Sequence, residues 1–109
     1  MEKIGVVTIT YNSKHVLPSF LQCIWNQTYE NFVLYVIDNS SLDDTLSILK
    51  SQKDSRINIL ENKKNLGVAK ANNQGITKAI KDKCDHVLLI NNDVEFEFTL
   101  IEKMLQVQK

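Results

Sequence analysis

Ile4-Gly5-Val6-Val7-Thr8-Ile9-Thr10 is short, rich in β-branched residues and apolar almost without a break. An apolar run of this length that does not alternate with polar residues reads as a strand covered on both faces. Phe32-Val33-Leu34-Tyr35-Val36-Ile37, ending at Asp38, is a second such run, and His86-Val87-Leu88-Leu89-Ile90 is a third. Arg56 to Leu60 is weaker and fits an edge strand. The segments between the strands keep helical spacing. Leu17, Phe20, Leu21, Ile24 and Trp25 form one stripe, with Asn12 or Ser13 as N-cap, a start near His15 or Val16 and Pro18 in the first turn. Ser41-Leu42-Asp43-Asp44 matches a capping box ahead of a stripe through Leu42, Leu46 and Leu49. Val68, Ala71, Ile76, Ala79 and Ile80 mark a third helix after Gly67, and Leu100, Ile101, Met104 and Leu105 a fourth. The order β-α-β-α-β-α-β-α predicts an α/β fold: a mostly parallel sheet of about four strands with helices on both faces.

Composition narrows the classes of function. The chain has 109 residues, 43% hydrophobic and 24% charged, with 13 basic and 13 acidic side chains. That is an ordinary globular composition, and the connections are short enough for one domain. Balanced charge argues against a nucleic-acid binder. No apolar run approaches the roughly 20 residues of a membrane span, and the N-terminus enters a strand at once, unlike a signal peptide. Cys23 and Cys84 lie far apart and read as reduced, buried thiols of a cytosolic protein. The three glycines, Gly5, Gly67 and Gly75, fit neither G-x-G-x-x-G nor a P-loop. Any nucleotide is therefore held without a glycine-rich cradle.

In open α/β sheets, ligands bind outside the carboxyl ends of the strands. Strand one ends in Thr8, Thr10, Tyr11 and Asn12. Strand two ends in Asp38, Asn39 and Ser40, and strand four in Asn91, Asn92, Asp93 and Glu95. Each group alone reads equally well as a turn or a helix cap. Three strands delivering hydroxyls, amides and carboxylates to one rim is the informative pattern. Asn72-Asn73 adds two weak helix formers inside the third helix. His15 reads as a surface residue and the lysines from Lys78 to Lys83 as a solvated face.

Four motifs in order resemble family-two glycosyltransferases with the GT-A fold. They are Val6-Val7-Thr8-Ile9-Thr10-Tyr11-Asn12, then Trp25-Asn26-Gln27-Thr28-Tyr29 leading into Val36-Ile37-Asp38-Asn39-Ser40-Ser41, then Asn65-Leu66-Gly67 with Asn72-Asn73-Gln74-Gly75, then Leu88-Leu89-Ile90-Asn91-Asn92-Asp93-Val94. The last is similar to the N-x-D form of the rhamnosyltransferase-like branch. The resemblance covers the chain and implies a Rossmann-like GT-A nucleotide-binding half. It implies transfer of sugar from a UDP- or dTDP-sugar to an acceptor hydroxyl, in cell-surface polysaccharide synthesis.

The resemblance also implies roles. Thr8, Tyr11, Asn12, Asp38, Asn39, Asn65, Gly67, Asn73 and Asn92 would form the nucleotide site. Within it, Asp38 would accept a base N–H and Tyr11 would stack on the base. Asp93, helped by the neutral amide of Asn91, would bind Mg²⁺ or Mn²⁺ bridging to the diphosphate. Many relatives have Asp at position 91, so metal affinity here should be lower or depend on nucleotide. A GT-A domain of the family is about twice this length, so residues 1–109 read as its N-terminal donor-binding portion. The general base and the surface for a glycan or lipid-linked acceptor would then lie beyond Lys109, and the chain alone would bind donor without turnover. Glu95 and Glu97 read as solvated charges. The implied location is cytoplasmic, peripheral on the inner face of the membrane, with self-association through any uncovered edge. The competing class is a non-catalytic α/β regulatory or nucleotide-binding domain. A receiver-like domain needs an acidic pair after strand one, where Thr10-Tyr11-Asn12 stands. A nucleotidyltransferase needs a glycine-rich N-terminal loop.

Overall fold

A computed structural model describes residues 1–108. Its elements are β1 (Ile4–Thr10), α1 (Leu17–Trp25), β2 (Phe32–Asp38), α2 (Thr45–Lys50), β3 (Ile57–Glu61), α3 (Val68–Lys81), β4 (His86–Leu89) and α4 (Leu100–Gln108). The strands form one sheet in the order β3-β2-β1-β4, and every pair is parallel. The expected alternation holds, as does the edge position of β3. β4 departs from expectation: it is the opposite edge, half-buried, with Leu89 48% exposed. An apolar run reports that both faces are covered, but it says nothing about whether a neighbour pairs with the outer edge.

Side chains alternate across the sheet. Ile4, Val6, Leu34 and Val36 pack with α1, Leu49 of α2 and Ile101 and Leu105 of α4. Val7 and Tyr35 face the other way, against Ala79 of α3. α3 docks through small residues: Ala71, Gly75 and Ala79 are buried. A Cβ on Gly75 would lie 2.4 Å from Val7 Cγ1, so only glycine admits this approach of helix to strand. Of the stripe expected through Val68, Ala71, Ile76, Ala79 and Ile80, Ala71 and Ala79 are buried, whereas Val68 and Ile80 are 67% and 65% exposed. At close approach, small residues make the contact face and branched ones cannot.

Two helix starts also differ from expectation. α1 begins at Leu17 after Val16, without a side-chain cap. The Ser13 carbonyl accepts from the amides of Val16 (3.1 Å) and Leu17 (3.0 Å) instead. α2 begins at Thr45, where Asp43 Oδ1 accepts the Thr45 amide at 2.9 Å. That carboxyl is held below the usual range, first by the Thr45 hydroxyl and then by the Thr45 and Lys14 amides. Ser41 makes no capping box, and Leu42 is 87% exposed. The polar residues meant for caps are used by the rim instead. Cys23 and Cys84 are free and half-buried, less covered than expected.

Gln27 explains one of the motifs. Its amide donates to the carbonyls of Cys23 (3.1 Å) and Glu97 (2.8 Å) and accepts from the Ile101 amide (3.1 Å). It is 4% exposed and ties the end of α1 to the start of α4. This glutamine satisfies backbone groups and lies far from the rim.

Candidate functional site

The chain runs outward from β1 through β2 to β3, then returns to place β4 on the other side of β1. The order therefore reverses between β1 and β4, the position where parallel α/β sheets open a crevice. A cleft of about 650 Å³ lies there. Its walls include Val7 and Ile9 of β1, the turn at Tyr11-Asn12-Ser13, Asn39, and Asn65, Gly67, Val68 and Asn72 around the start of α3. Leu89, Ile90, Asn91, Asn92 and Asp93 close the side after β4.

The turns after β1 and β2 are sewn together. Asn12 Oδ1 accepts the Leu42 amide at 2.8 Å, and Ser41 Oγ accepts the Asn12 amide at 2.9 Å. Asn12 and Ser40 hold left-handed backbone, at φ 49° and 68°. Such conformations are uncommon without glycine and persist where surrounding bonds fix them. Here the fixing group is Asp38. Its Oδ1 accepts from Thr10 Oγ1 and Ser41 Oγ, each at 2.6 Å, and its Oδ2 accepts the Ser41 amide at 2.9 Å.

Asp38 is thus 0% exposed and Thr8 1%, so both lie beneath the cleft and do not line it as expected. The reason is local: three donors inside the fold hold the Asp38 carboxylate, and Thr8 Oγ1 accepts from Asn92 Nδ2 at 3.1 Å. Asn92 also donates to the Ile9 carbonyl, at 2.6 Å. It anchors the segment after β4 to β1, while its neighbours Asn91 and Asp93 stay exposed on the cleft wall.

The third wall is built on amides. Asn65 Oδ1 accepts the Gly67 amide at 2.8 Å, and Gly67 takes φ 85° at the start of α3. Asn39 donates to the Gly67 carbonyl at 3.3 Å, and Asn62 donates to Asn39 Oδ1 at 3.0 Å. Asn62 and Gln74 exchange a reciprocal pair at 2.8 and 2.9 Å. Asn73 is not at the cleft: it is exposed and lines a groove on the far flank of α3, and Asn72 takes its place in the wall. One residue along a helix turns a side chain by about 100°, which a motif match cannot register.

Of the residues expected at the site, the fold brings Tyr11, Asn12, Asn39, Asn65, Gly67, Asn91, Asn92 and Asp93 to one cleft. It places Thr8 and Asp38 behind it and Asn73 outside it. Ser41, Asn62 and Gln74 support the site from outside the expected set, and Asn72 of the Asn72-Asn73 pair enters the wall. Asn62 alone of these lies outside the quoted motifs, and its signal is the density of amides between positions 62 and 74. Among the described residues no three His, Cys, Asp or Glu side chains group as a metal site. Asp93 is the only carboxylate on the cleft wall, with the Asn91 amide beside it. This set fits a hard cation only if a bound anion supplies the remaining oxygens.

A family model described as Glycosyl transferase family 2 matches residues 5–109. The chain belongs to glycosyl transferase family 2. Among curated relatives, a "UDP-Glc:alpha-D-GlcNAc-diphosphoundecaprenol beta-1,3-glucosyltransferase WfaP" of Escherichia coli is 36% identical over 73 residues, 67% of this chain and 29% of that protein. "Glycosyltransferase GlyG" of Streptococcus pneumoniae is 29% identical over 107 residues, 96% of this chain and 35% of that protein. The family-two chain therefore spans about a third of these relatives. Among solved structures, S. aureus TarS 1-349 in complex with UDP-GlcNAc superposes with a TM-score of 0.86 at 22% identity, covering 95% of this chain and 30% of that one. The mannosyltransferase PcManGT from Pyrobaculum calidifontis, in complex with GDP-Man and Mn2+, gives 0.76 at 23%, covering 85% and 28%. These likenesses establish the GT-A-type fold.

Proposed function

We propose that the cleft holds the nucleoside diphosphate of a UDP- or dTDP-sugar, for transfer to a glycan or lipid-linked acceptor hydroxyl in cell-surface polysaccharide synthesis. The observation that carries this reading is the meeting of the β1, β2 and β4 rims with the start of α3 at the topological switch. α3 has no side-chain cap and no acidic residue in its first turn. Its free amides and positive dipole end suit a diphosphate. Asp93 and Asn91 would hold Mg²⁺ or Mn²⁺ together with that diphosphate. The metal, when bound, offsets the charge that grows on the leaving nucleoside diphosphate.

The chain's own residues do the orienting. Asp38, fully covered, locks the turns at Tyr11-Asn12 and Asn39-Ser41 and acts on the base through them. Tyr11, 49% exposed, offers its ring for stacking. Among the described residues on the cleft wall, Asp93 is the one carboxylate and no histidine is present. The reading gives these residues the binding of donor and assigns none of them as base for the acceptor hydroxyl. The reading places the enzyme in the cytoplasm, peripheral to the inner face of the membrane.

The rigid turns should favour a one-ring base. Calorimetric titration with Mn²⁺ present should give UDP and dTDP affinities at least about fivefold above ADP, a difference of about 1 kcal/mol. Equal affinities, or a preference for ADP, would remove the assignment of these turns to the base.

A further inference from the structure

The chain is neutral overall but not evenly so. Asn62 to Lys83 carries six lysines and one acid, Asp82, while the rest of the chain has seven cations against twelve anions. The fold gathers much of this excess on one face. Lys70 and Lys81 line an open groove of about 540 Å³ between α3 and the edge strand β3, with Leu60 and Leu66 beneath and Asn73 and Thr77 between. Ile80, 65% exposed, stands beside Lys81. Among the described residues, Lys78 alone of the six lysines has a carboxylate within 4.0 Å, Asp82 at 3.6 Å.

We propose that the outer face of α3, with the lysine turn before it, docks on an anionic phospholipid surface. Dispersed ammonium groups on long apolar stems, with an exposed branched apolar side chain beside them, match a headgroup layer. The acidic remainder of the chain would turn that face toward the membrane and the rest away. Nucleic acid is the poorer match, because Asn62 to Lys83 has no arginine and no aromatic residue for phosphate forks or base stacking. α3 has 14 residues, about 21 Å of helix, and its first turn forms part of the cleft wall. Docking along it would hold the cleft mouth near the bilayer, within reach of a lipid-carried acceptor. That last consequence rests on the donor-site reading; the docking itself does not.

The test is vesicle co-sedimentation of the chain, with phosphatidylcholine alone or with about 30% phosphatidylglycerol. Binding should require the anionic lipid and fall as salt is raised. Lys70→Glu with Lys81→Glu should weaken it at least about tenfold. Lys53→Glu with Lys103→Glu, the same charge change elsewhere, should leave it within about twofold. UDP titration and thermal melting of each variant run alongside. Equal binding to neutral vesicles, equal losses in both double variants, or tighter binding to a single-stranded polynucleotide than to anionic vesicles would each overturn the proposal. Absent vesicle binding with UDP binding intact refutes the docking face alone. The converse result refutes the donor cleft alone.

Discussion

Replacing Asp93 by alanine is expected to lower Mn²⁺-dependent UDP affinity about tenfold or more, roughly 1.4 kcal/mol. The fold should be unaffected. Asp93 is exposed and makes no side-chain hydrogen bond or ion pair to any described residue, so its loss removes nothing from the core. Among the described residues it is also the only carboxylate the cleft wall offers to a cation. Asn91 contributes an amide oxygen without charge, so Asn91→Asp should move affinity the other way. Two carboxylates two residues apart on one wall would hold the metal before nucleotide arrives. Titrations of UDP with and without Mn²⁺ across the three proteins read both effects. If Asp93→Ala binds UDP as the unaltered chain does, the metal assignment to this segment fails.

The second large effect concerns stability. Gly75 sits in the middle of α3, where glycine costs about 1 kcal/mol relative to alanine. Propensity alone therefore predicts that Gly75→Ala stabilises. Packing predicts the reverse, because the new Cβ would lie 2.4 Å from Val7 Cγ1 and 3.1 Å from its Cγ2. Overpacking a well-filled interior costs about 1–3 kcal/mol. The neighbour cannot swing aside, since Val7 is 1% exposed in the central strand. An approach of 2.4 Å puts the overpacking cost in the upper part of that range, about 2–3 kcal/mol, so after the propensity gain Gly75→Ala should lose about 1–2 kcal/mol in urea unfolding. Gly75→Leu should lose the cooperative transition, because four heavy atoms cannot enter that gap and α3 must leave the sheet. A stabilised Gly75→Ala would mean that α3 does not approach β1 this closely.

Much of this architecture was legible from period and composition. Uninterrupted apolar runs gave the strands, and alternation with helical stripes gave a parallel sheet with covered faces. The strand ends gave the rim. What escaped followed from geometry that a linear pattern does not encode. Gly75 carries no apolar signal, so the stripe through Val68, Ala71, Ile76, Ala79 and Ile80 omits it and includes Val68 and Ile80, which the fold leaves exposed. Asp38 carries the chemistry expected of a ligand-binding carboxylate, but three intramolecular donors occupy it. Asn72 and Asn73 are chemically identical neighbours, and only the helix phase sends the first to the cleft. Gln27 belongs to a motif shared with the family, yet its bonds run to the backbone of α1, of the segment before α4 and of the first turn of α4. The pattern marked it as important without separating support of the fold from contact with a ligand.

The central claim is that the crevice between β1 and β4 is where a nucleoside diphosphate binds. Backbone amide chemical-shift mapping of the isotopically labelled chain, titrated with UDP and Mg²⁺, tests it most directly. The account predicts a contiguous set of shifted amides at Tyr11 to Ser13, Asn39, Asn65 to Val68 and Asn91 to Asp93, with Gln27 and the α1–α4 junction unmoved. Shifts confined to the groove of Lys70 and Lys81, or a spectrum unchanged at millimolar UDP, would contradict it.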